Sequence, residues 1–249
     1  VGLAGRFAGQ LTWGYLALGI LLAVTAVALA PEPRATSTPR SERASGGLMT
    51  RLGTFTSALR HRDFAWVFCS RAAMILGYFL VAGFELYILT DYVPLPAGIR
   101  PATGVTILAV ISTLCSVLAA AIAGPASDRL GRRKVFVIGS AALSGAAMFL
   151  PILSPTFVTM TIFAAASGLA FGSYLAVDTA LVTLVLPRQQ DAARDMGVLN
   201  VANAGPQVVA PFLAAVIIGH LGGYPALFAA GGAAAIAGAL AIGPVRSVR

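Results

Sequence analysis

The feature that most constrains the fold is a series of long apolar segments. A helix that spans a bilayer needs about 20 mostly apolar residues, and the chain of 249 residues contains seven segments of roughly that length. They cover residues 11–30, 64–90, 104–124, 135–151, 157–186, 198–219 and 224–243. Only 10% of the residues are charged, whereas soluble domains have about 25%. The sequence therefore predicts an all-α integral membrane protein with seven transmembrane helices.

The basic residues predict how these helices are oriented. The loops that fall on one side of the helices contain fourteen Lys and Arg residues, and the loops on the other side contain only Arg6 and Arg100. Cytoplasmic loops carry an excess of Lys and Arg. We therefore expect the N-terminus outside, the C-terminus in the cytoplasm and, given the Arg-, Ala- and Gly-rich composition, a bacterial cytoplasmic membrane.

The densest group of cations lies in residues 124–134, GPASDRLGRRK, between two apolar segments. This string follows the pattern G-x-x-x-D-R-x-G-R-[RK], which resembles the loop motif between the second and third helices of each half of major facilitator superfamily (MFS) transporters. The matching residues are Gly124, Asp128, Arg129, Gly131, Arg132 and Arg133. The resemblance implies an MFS-type helix bundle in a secondary active permease, a symporter or antiporter. Such a protein moves a small solute by alternating access and is usually coupled to protons.

The same resemblance implies a domain organisation. MFS proteins have twelve helices in two halves, so the chain resembles the C-terminal portion, the sixth to twelfth helices, and the missing N-terminal half would be its partner. Residues 1–30 would hold the last helix of the N-terminal half and 31–63 the cytoplasmic central loop. We expect a short interfacial helix at 47–62, since its apolar residues recur near helical spacing. Residues 64–243 would form the C-terminal half, and 244–249 a cytoplasmic tail.

Three charged residues fall within predicted spans, and each is costly in hydrocarbon. Arg71 and Glu85 share a span, in which Arg71, Tyr78, Glu85 and Tyr92 recur every seven residues and so form one stripe on a helix. The stripe predicts a substrate or proton pathway. Alternatively, Arg71 extends to the inner phosphates and Glu85 lies near the outer interface.

The third charged residue is Asp178, which the sequence places about 13 Å from the inner end of its span. It could be a protonatable coupling carboxylate, or it could have a static packing role. The resemblance implies a further role, in which Asp178 pairs with the motif residue Arg132 and closes the cytoplasmic side. It also implies that Asp128 points toward a helix start in the other half.

Two further patterns concern helix faces. Asn200, Asn203 and Gln207 place three amides on one face, either toward the pathway or for hydrogen bonds between helices. Pro206 and Pro211 weaken the same helix and suit a bending element. The G-x-x-x-G spacing in residues 168–172 predicts close helix packing.

Other function classes fit less well. The alternative to a transporter is a non-transporting seven-helix receptor or scaffold protein; a retinal protein needs a lysine within a span, and the only lysine is Lys134 in a loop. No paired catalytic constellation, phosphate-binding loop or zinc spacing is found. We therefore expect no enzyme activity, cofactor, metal or nucleic-acid partner. Cys69 and Cys115 lie in apolar segments and suggest helix packing.

Overall fold

The computed structural model describes residues 58–185 and 192–245. It also describes six helical residues near the N-terminus, Leu16, Gly19, Ile20, Ala23, Val24 and Thr25. These six lie in a separate compact unit that ends at Gly46. The predicted span at 11–30, the central loop before residue 58 and the tail after 245 therefore lie largely or wholly outside the described residues.

In the described part of the second unit, all regular secondary structure is helical. A 3-10 turn, Ala58–Arg60, precedes the first helix, so the described end of the predicted interfacial helix is one short turn. The α-helices are α1 (Arg62–Ala82), α2 (Glu85–Asp91), α3 (Pro101–Leu130), α4 (Arg133–Ala147), α5 (Leu150–Leu153), α6 (Phe157–Val185), α7 (Ala192–His220) and α8 (Gly223–Ile242). Within these residues, six helices are long and apolar enough to cross a membrane, with α4 and α5 counted as one. The six spans predicted after residue 63 are thereby confirmed.

The first of these spans is not one continuous helix, as the sequence predicted for residues 64–90. It breaks at Gly83 and Phe84, between α1 and α2. Phe84 has φ −116° and ψ 8°, and its N–H donates to the carbonyl of Val81 at 2.9 Å, in place of the residue four positions back. This tighter turn ends the regular ladder, because the backbone leaves the helical region at Phe84. The span therefore consists of two helices, α1 and α2, that meet at Gly83 and Phe84.

The next helix is longer than predicted. The sequence placed the end of this span at Gly124, but α3 continues to Leu130 with Pro125 inside it. Asp128 and Arg129 consequently lie on the last helical turn, and only Gly131 and Arg132 connect α3 to α4. Gly131 has φ 61° and ψ 20°, the left-handed conformation that glycine adopts without strain at a helix C-terminus. Gly131 therefore forms the tight turn between α3 and α4.

The long helices pack in a defined series of neighbours. The strongest contacts follow the order α3, α6, α4, α8, α1, α7, so that α3 and α7 stand at the two ends. Consecutive helices run in opposite directions, which gives the bundle two ends. The basic end holds the turn between α3 and α4, and the opposite end holds the connections that follow α2 and α7. One core cluster includes Phe64, Tyr174 and Ile242, and a second includes Ile88, Met160 and Phe228.

Glycine makes the closest helix contacts possible. A Cβ added at Gly168 or Gly172 of α6 would overlap the backbone oxygens of Ser112 and Ser116 in α3. The predicted close packing of this G-x-x-x-G segment is confirmed. Small residues act in the same way elsewhere, since the hydroxyl of Ser70 in α1 donates to the carbonyl of Gly238 in α8 at 2.7 Å.

Candidate functional site

The central feature of the bundle is an ion pair between α1 and α6. The guanidinium of Arg71 donates to a carboxylate oxygen of Asp178. Only 13% of the Arg71 side chain and 5% of the Asp178 side chain are exposed. The interaction that the family resemblance implied, between Asp178 and Arg132, is not present in this structure. Arg132 lies at the N-terminal cap of α4 and is exposed at the basic end.

The depth of the two residues explains why they meet. Arg71 is nine residues after Arg62, the first residue of α1, and Asp178 is seven residues before Val185, the last residue of α6. At 1.5 Å per residue, both lie about 10–14 Å from the basic end. Two antiparallel helices therefore place them at the same height.

Aromatic side chains complete the contact between α1 and α6. Tyr174, one turn before Asp178, is 1% exposed and lies beside both members of the ion pair. One turn further, the ring of Phe171 stacks on Tyr78 of α1, with centroids 4.2 Å apart and planes 13° apart. The Tyr78 hydroxyl lies beside Ser112 of α3. Tyr174 was not predicted from the sequence as a site residue, although its position four residues before Asp178 places it on the same face of α6.

The predicted stripe on this span divides at the helix break. Arg71 and Tyr78 face α6, but Tyr92 donates from its hydroxyl to the carbonyl of Pro151 at 3.0 Å. Burial raises the pKa of Tyr92, so the hydroxyl keeps the proton that it donates. Glu85 is half-buried in the first turn of α2, where the positive end of the helix dipole favours a carboxylate. The charge of Glu85 acts on the Tyr78 hydroxyl across the break, so these two residues of the stripe lie near each other, and the pathway role of the four residues stays a prediction.

The motif residues form a local network at the basic end. Asp128, on the last turn of α3, accepts two hydrogen bonds from the guanidinium of Arg133, at 2.7 and 3.2 Å. This pair is far more exposed than the first, with 59% of the Asp128 side chain and 27% of the Arg133 side chain accessible. Gly124 does not need its small size within the described bundle, because an added Cβ would meet only the Cβ of Ala176 at 4.0 Å.

Lys134 has a role that the sequence analysis missed. Its ammonium group donates to the backbone carbonyls of Gly243 at 2.6 Å and Val245 at 2.8 Å. These carbonyls follow the C-terminus of α8, where the last carbonyls of a helix need donors and the helix dipole favours a cation. These hydrogen bonds therefore connect the start of α4, next to the turn at Gly131 and Arg132, to the C-terminal end of α8. The sequence shows the cation, but its hydrogen-bond partners could not be predicted, because they are more than 100 residues away in the chain.

The predicted amide face lies on α7. Asn200 is exposed, and Asn203 and Gln207 are half-buried. The side-chain amide of Gln207 donates to the backbone carbonyl of Asn203 at 3.1 Å. This bond supports the helix next to Pro206, and α7 is continuous through both of its prolines.

The fold and this site define a class of protein, a polytopic helical membrane protein with an ion pair inside its bundle and a basic turn at one end. The family model described as Major Facilitator Superfamily matches residues 96–248, more than half of the chain. The chain belongs to the major facilitator superfamily and is a membrane transporter of that family. Neither a curated protein nor a solved structure matches the chain.

Proposed function

We propose that this protein moves a small solute by alternating access, coupled to protons, and that the Arg71–Asp178 pair is central to the coupling. The observation that carries the proposal is the burial of this pair between two helices of a membrane transporter. Burying two charges costs several kcal/mol per ion in round numbers, and good geometry must offset that cost. Charged groups at such positions in membrane proteins mark substrate or ion pathways.

Protonation of Asp178 would remove the charge that holds Arg71. The contact between α1 and α6 depends on this pair and on the stacked rings of Tyr78 and Phe171, because α1 otherwise packs against α7 and α8. A proton on Asp178 would therefore change the distance between two helices. In the same state, Arg71 would be free to donate to an acceptor on the solute.

The other residues take supporting roles in this proposal. Glu85, Tyr78, Asn200, Asn203 and Gln207 belong to the substrate or proton pathway. Asp128, Arg129, Gly131, Arg132 and Arg133, with Gly124, form a gate whose turn lies in the cytoplasm. Its Asp128 carboxylate, more than half exposed, can still contact a helix start in another part of the transporter.

The remaining helices of the transporter fit against α3 and α7 in this proposal. The two helices at the ends of the neighbour series carry large exposed apolar side chains, such as Ile122 at 68% and Phe212 at 71%. We assign the cover of these faces to helices of the N-terminal half that precede residue 11. Residues 11–30 are proposed as the last helix of that half and 31–63 as the connecting loop. Residues 64–243 then form the C-terminal half and 244–249 its tail. The DNA upstream of Val1 tests this, since five further apolar spans in frame are expected.

The coupling is tested with the complete transporter in proteoliposomes that enclose a pH-sensitive dye. A panel of solutes first identifies one whose addition moves protons. Asp178→Asn should abolish this solute-driven proton movement while solute exchange under equal concentrations continues. Asp63→Asn, the matched change of an acid in the first turn of α1 and outside the proposed pathway, should retain proton movement. Solute transport without proton movement in the wild type, or normal coupling in Asp178→Asn, would contradict the proposal.

The orientation is tested separately by cysteine labelling. Cys69 and Cys115 are first replaced by alanine. A single cysteine at Arg129, on the last turn of α3, should react with a membrane-impermeant maleimide only after the cell is opened. A single cysteine at Ala97, in the exposed connection between α2 and α3, should react in intact cells. The reverse pattern would invert the proposed topology.

A further inference from the structure

We propose that a cavity at the opposite end of the bundle binds an organic cation of the quaternary ammonium type. The cavity has a volume of about 440 Å³ and lies between the helix break after α1, the last turns of α7 and the start of α8. Small-molecule sites usually measure about 300–1,000 Å³. The cavity lies at the other end of the bundle from the basic turn, apart from the Arg71–Asp178 pair, and the proposal does not depend on the transport mechanism.

Aromatic rings form one part of the cavity wall. Phe84 and Tyr87 lie on adjacent positions of the α2 surface, with ring centroids 5.9 Å apart, and Tyr224 contributes from α8. Tyr87 is 57% exposed although it belongs to a largely apolar segment. The faces of aromatic rings carry negative electrostatic potential and attract cations, most strongly when the cation has little water around it. A cluster of three rings in one cavity is the arrangement that recognises quaternary ammonium groups.

Two sources of negative charge lie next to these rings. Tyr224 donates from its hydroxyl to a carboxylate oxygen of Asp91 at 2.8 Å, so an exposed carboxylate adjoins the cavity. Ile218 and Gly219, in the last turn of α7, also line it, and the C-terminus of a helix carries the negative end of its dipole.

The charge balance decides which ligand class fits. No lysine or arginine is among the described residues that line the cavity. An anion would therefore meet a carboxylate and a helix C-terminus without a compensating cation. An apolar neutral ligand would gain from Pro211 and Ile218 but not from Asp91. A compact cation with apolar groups around its charge uses the rings, the carboxylate and the apolar wall together.

The test uses the full chain in detergent and radiolabelled benzyltrimethylammonium in a scintillation proximity assay. Its carbon analogue neopentylbenzene has the same shape without the charge and serves as the competitor. Saturable binding is expected, with the neutral analogue weaker by about tenfold or more. Tyr87→Leu should weaken binding about threefold to tenfold and Tyr87→Trp should restore it, since the ring supplies the attraction. Asp91→Asn should weaken it about fivefold through the lost charge.

Matched controls separate loss of the site from loss of the fold. Phe149→Leu changes another exposed ring, and Asp63→Asn changes an acid in the first turn of α1 at the basic end; both should bind as the wild type does. Thermal unfolding of every variant in detergent checks that the bundle is intact. The proposal is overturned if no saturable binding occurs, if the neutral analogue competes equally, or if stable Tyr87→Leu and Asp91→Asn variants bind as tightly as the wild type.

Discussion

Two arginine–aspartate pairs in this molecule have the same chemistry but lie in opposite environments. Arg71 and Asp178 are 13% and 5% exposed and join two different helices across the bundle. Arg133 and Asp128 are 27% and 59% exposed and lie five residues apart across a turn. The first pair is largely removed from water, whereas water screens the second.

The difference in exposure determines how much stability is lost when one charge of each pair is removed. An exposed pair contributes about 0–1 kcal/mol, because water solvates both partners when they separate. A buried pair contributes little net stability when intact, but the loss of one partner leaves a charge without water or counter-charge. The exposed pair can therefore separate at little cost, whereas the buried pair separates at little cost only when one partner loses its charge or finds another counter-charge.

The largest effect is expected from removing one partner of the buried pair. Asp178→Ala should lower the free energy of unfolding by about 3–5 kcal/mol, because Arg71 remains buried without a counter-charge. Denaturant unfolding of the purified chain in detergent, followed by circular dichroism, gives the value. The double variant Arg71→Met with Asp178→Leu should recover most of the loss. Equal stability of Asp178→Ala and the wild type would show that Arg71 reaches water by another route.

The second prediction tests whether the close packing of α6 on α3, and not only the Arg71–Asp178 ion pair, contributes to the stability of the bundle. Gly172→Ala should destabilise the chain by about 1–3 kcal/mol, because its new methyl group would overlap the backbone of Ser116 and force α3 away. Gly139→Ala is the matched control, since nothing lies within 4 Å of an added Cβ there, and it should be neutral or slightly stabilising. Thermal unfolding of both variants side by side is the measurement. Equal melting temperatures would indicate that α6 is held by its charged contact alone.

The third prediction concerns Lys134, a cation intermediate in exposure between the two pairs. Lys134→Met should cost about 1.5–3 kcal/mol, the usual contribution of hydrogen bonds to a charged group. Hydrogen exchange should become faster at the amides near Gly243 and Val245, because the end of α8 loses its cap. Lys134→Arg retains the charge and should exchange more slowly than the methionine variant. Unchanged exchange in Lys134→Met would mean that the carbonyls find other donors.

The smallest effect is expected at the exposed pair. Asp128→Asn should change the free energy of unfolding by less than about 1 kcal/mol, and raising the salt concentration should reduce even this difference. Parallel unfolding curves at low and high salt test both statements. A loss of unfolding free energy as large as that of Asp178→Ala would show that burial does not distinguish the two pairs.

Much of the fold could be predicted from the sequence. Six long apolar segments after residue 63 became six long helices, because the length of an apolar run is enough to identify a spanning helix. The pattern from Gly124 to Arg133 indicated the family that the whole-domain comparison then showed. Gly131 could be recognised as the turn residue, because the pattern places it between two helices.

The details of the site could not be predicted in the same way. The break at Gly83 and Phe84 lies in a run that is apolar on both sides apart from Glu85, and a single glycine within a helical pattern does not by itself predict a break. The partner of Asp178 depends on which faces of α1 and α6 meet, and neither residue carries that information. The family pattern supplied Arg132, which in this structure lies at the N-terminal cap of α4, whereas Asp178 contacts Arg71. Tyr174 was missed because an isolated tyrosine in a span looks like ordinary core.

The sequence by itself determined the number of spanning segments in the described part, the concentration of cations at one end of the bundle and the family. These properties depend on composition and on the spacing of residues along the chain, and both can be taken from the sequence without knowing how the helices pack. Only the tertiary structure decided that Arg71 meets Asp178 and that Lys134 caps α8. It also decided that Tyr87 and Tyr224 line one cavity and that Tyr224 donates a hydrogen bond to Asp91. Each of these contacts joins residues from different helices, and the rotation and depth of a helix are fixed by packing against its neighbours.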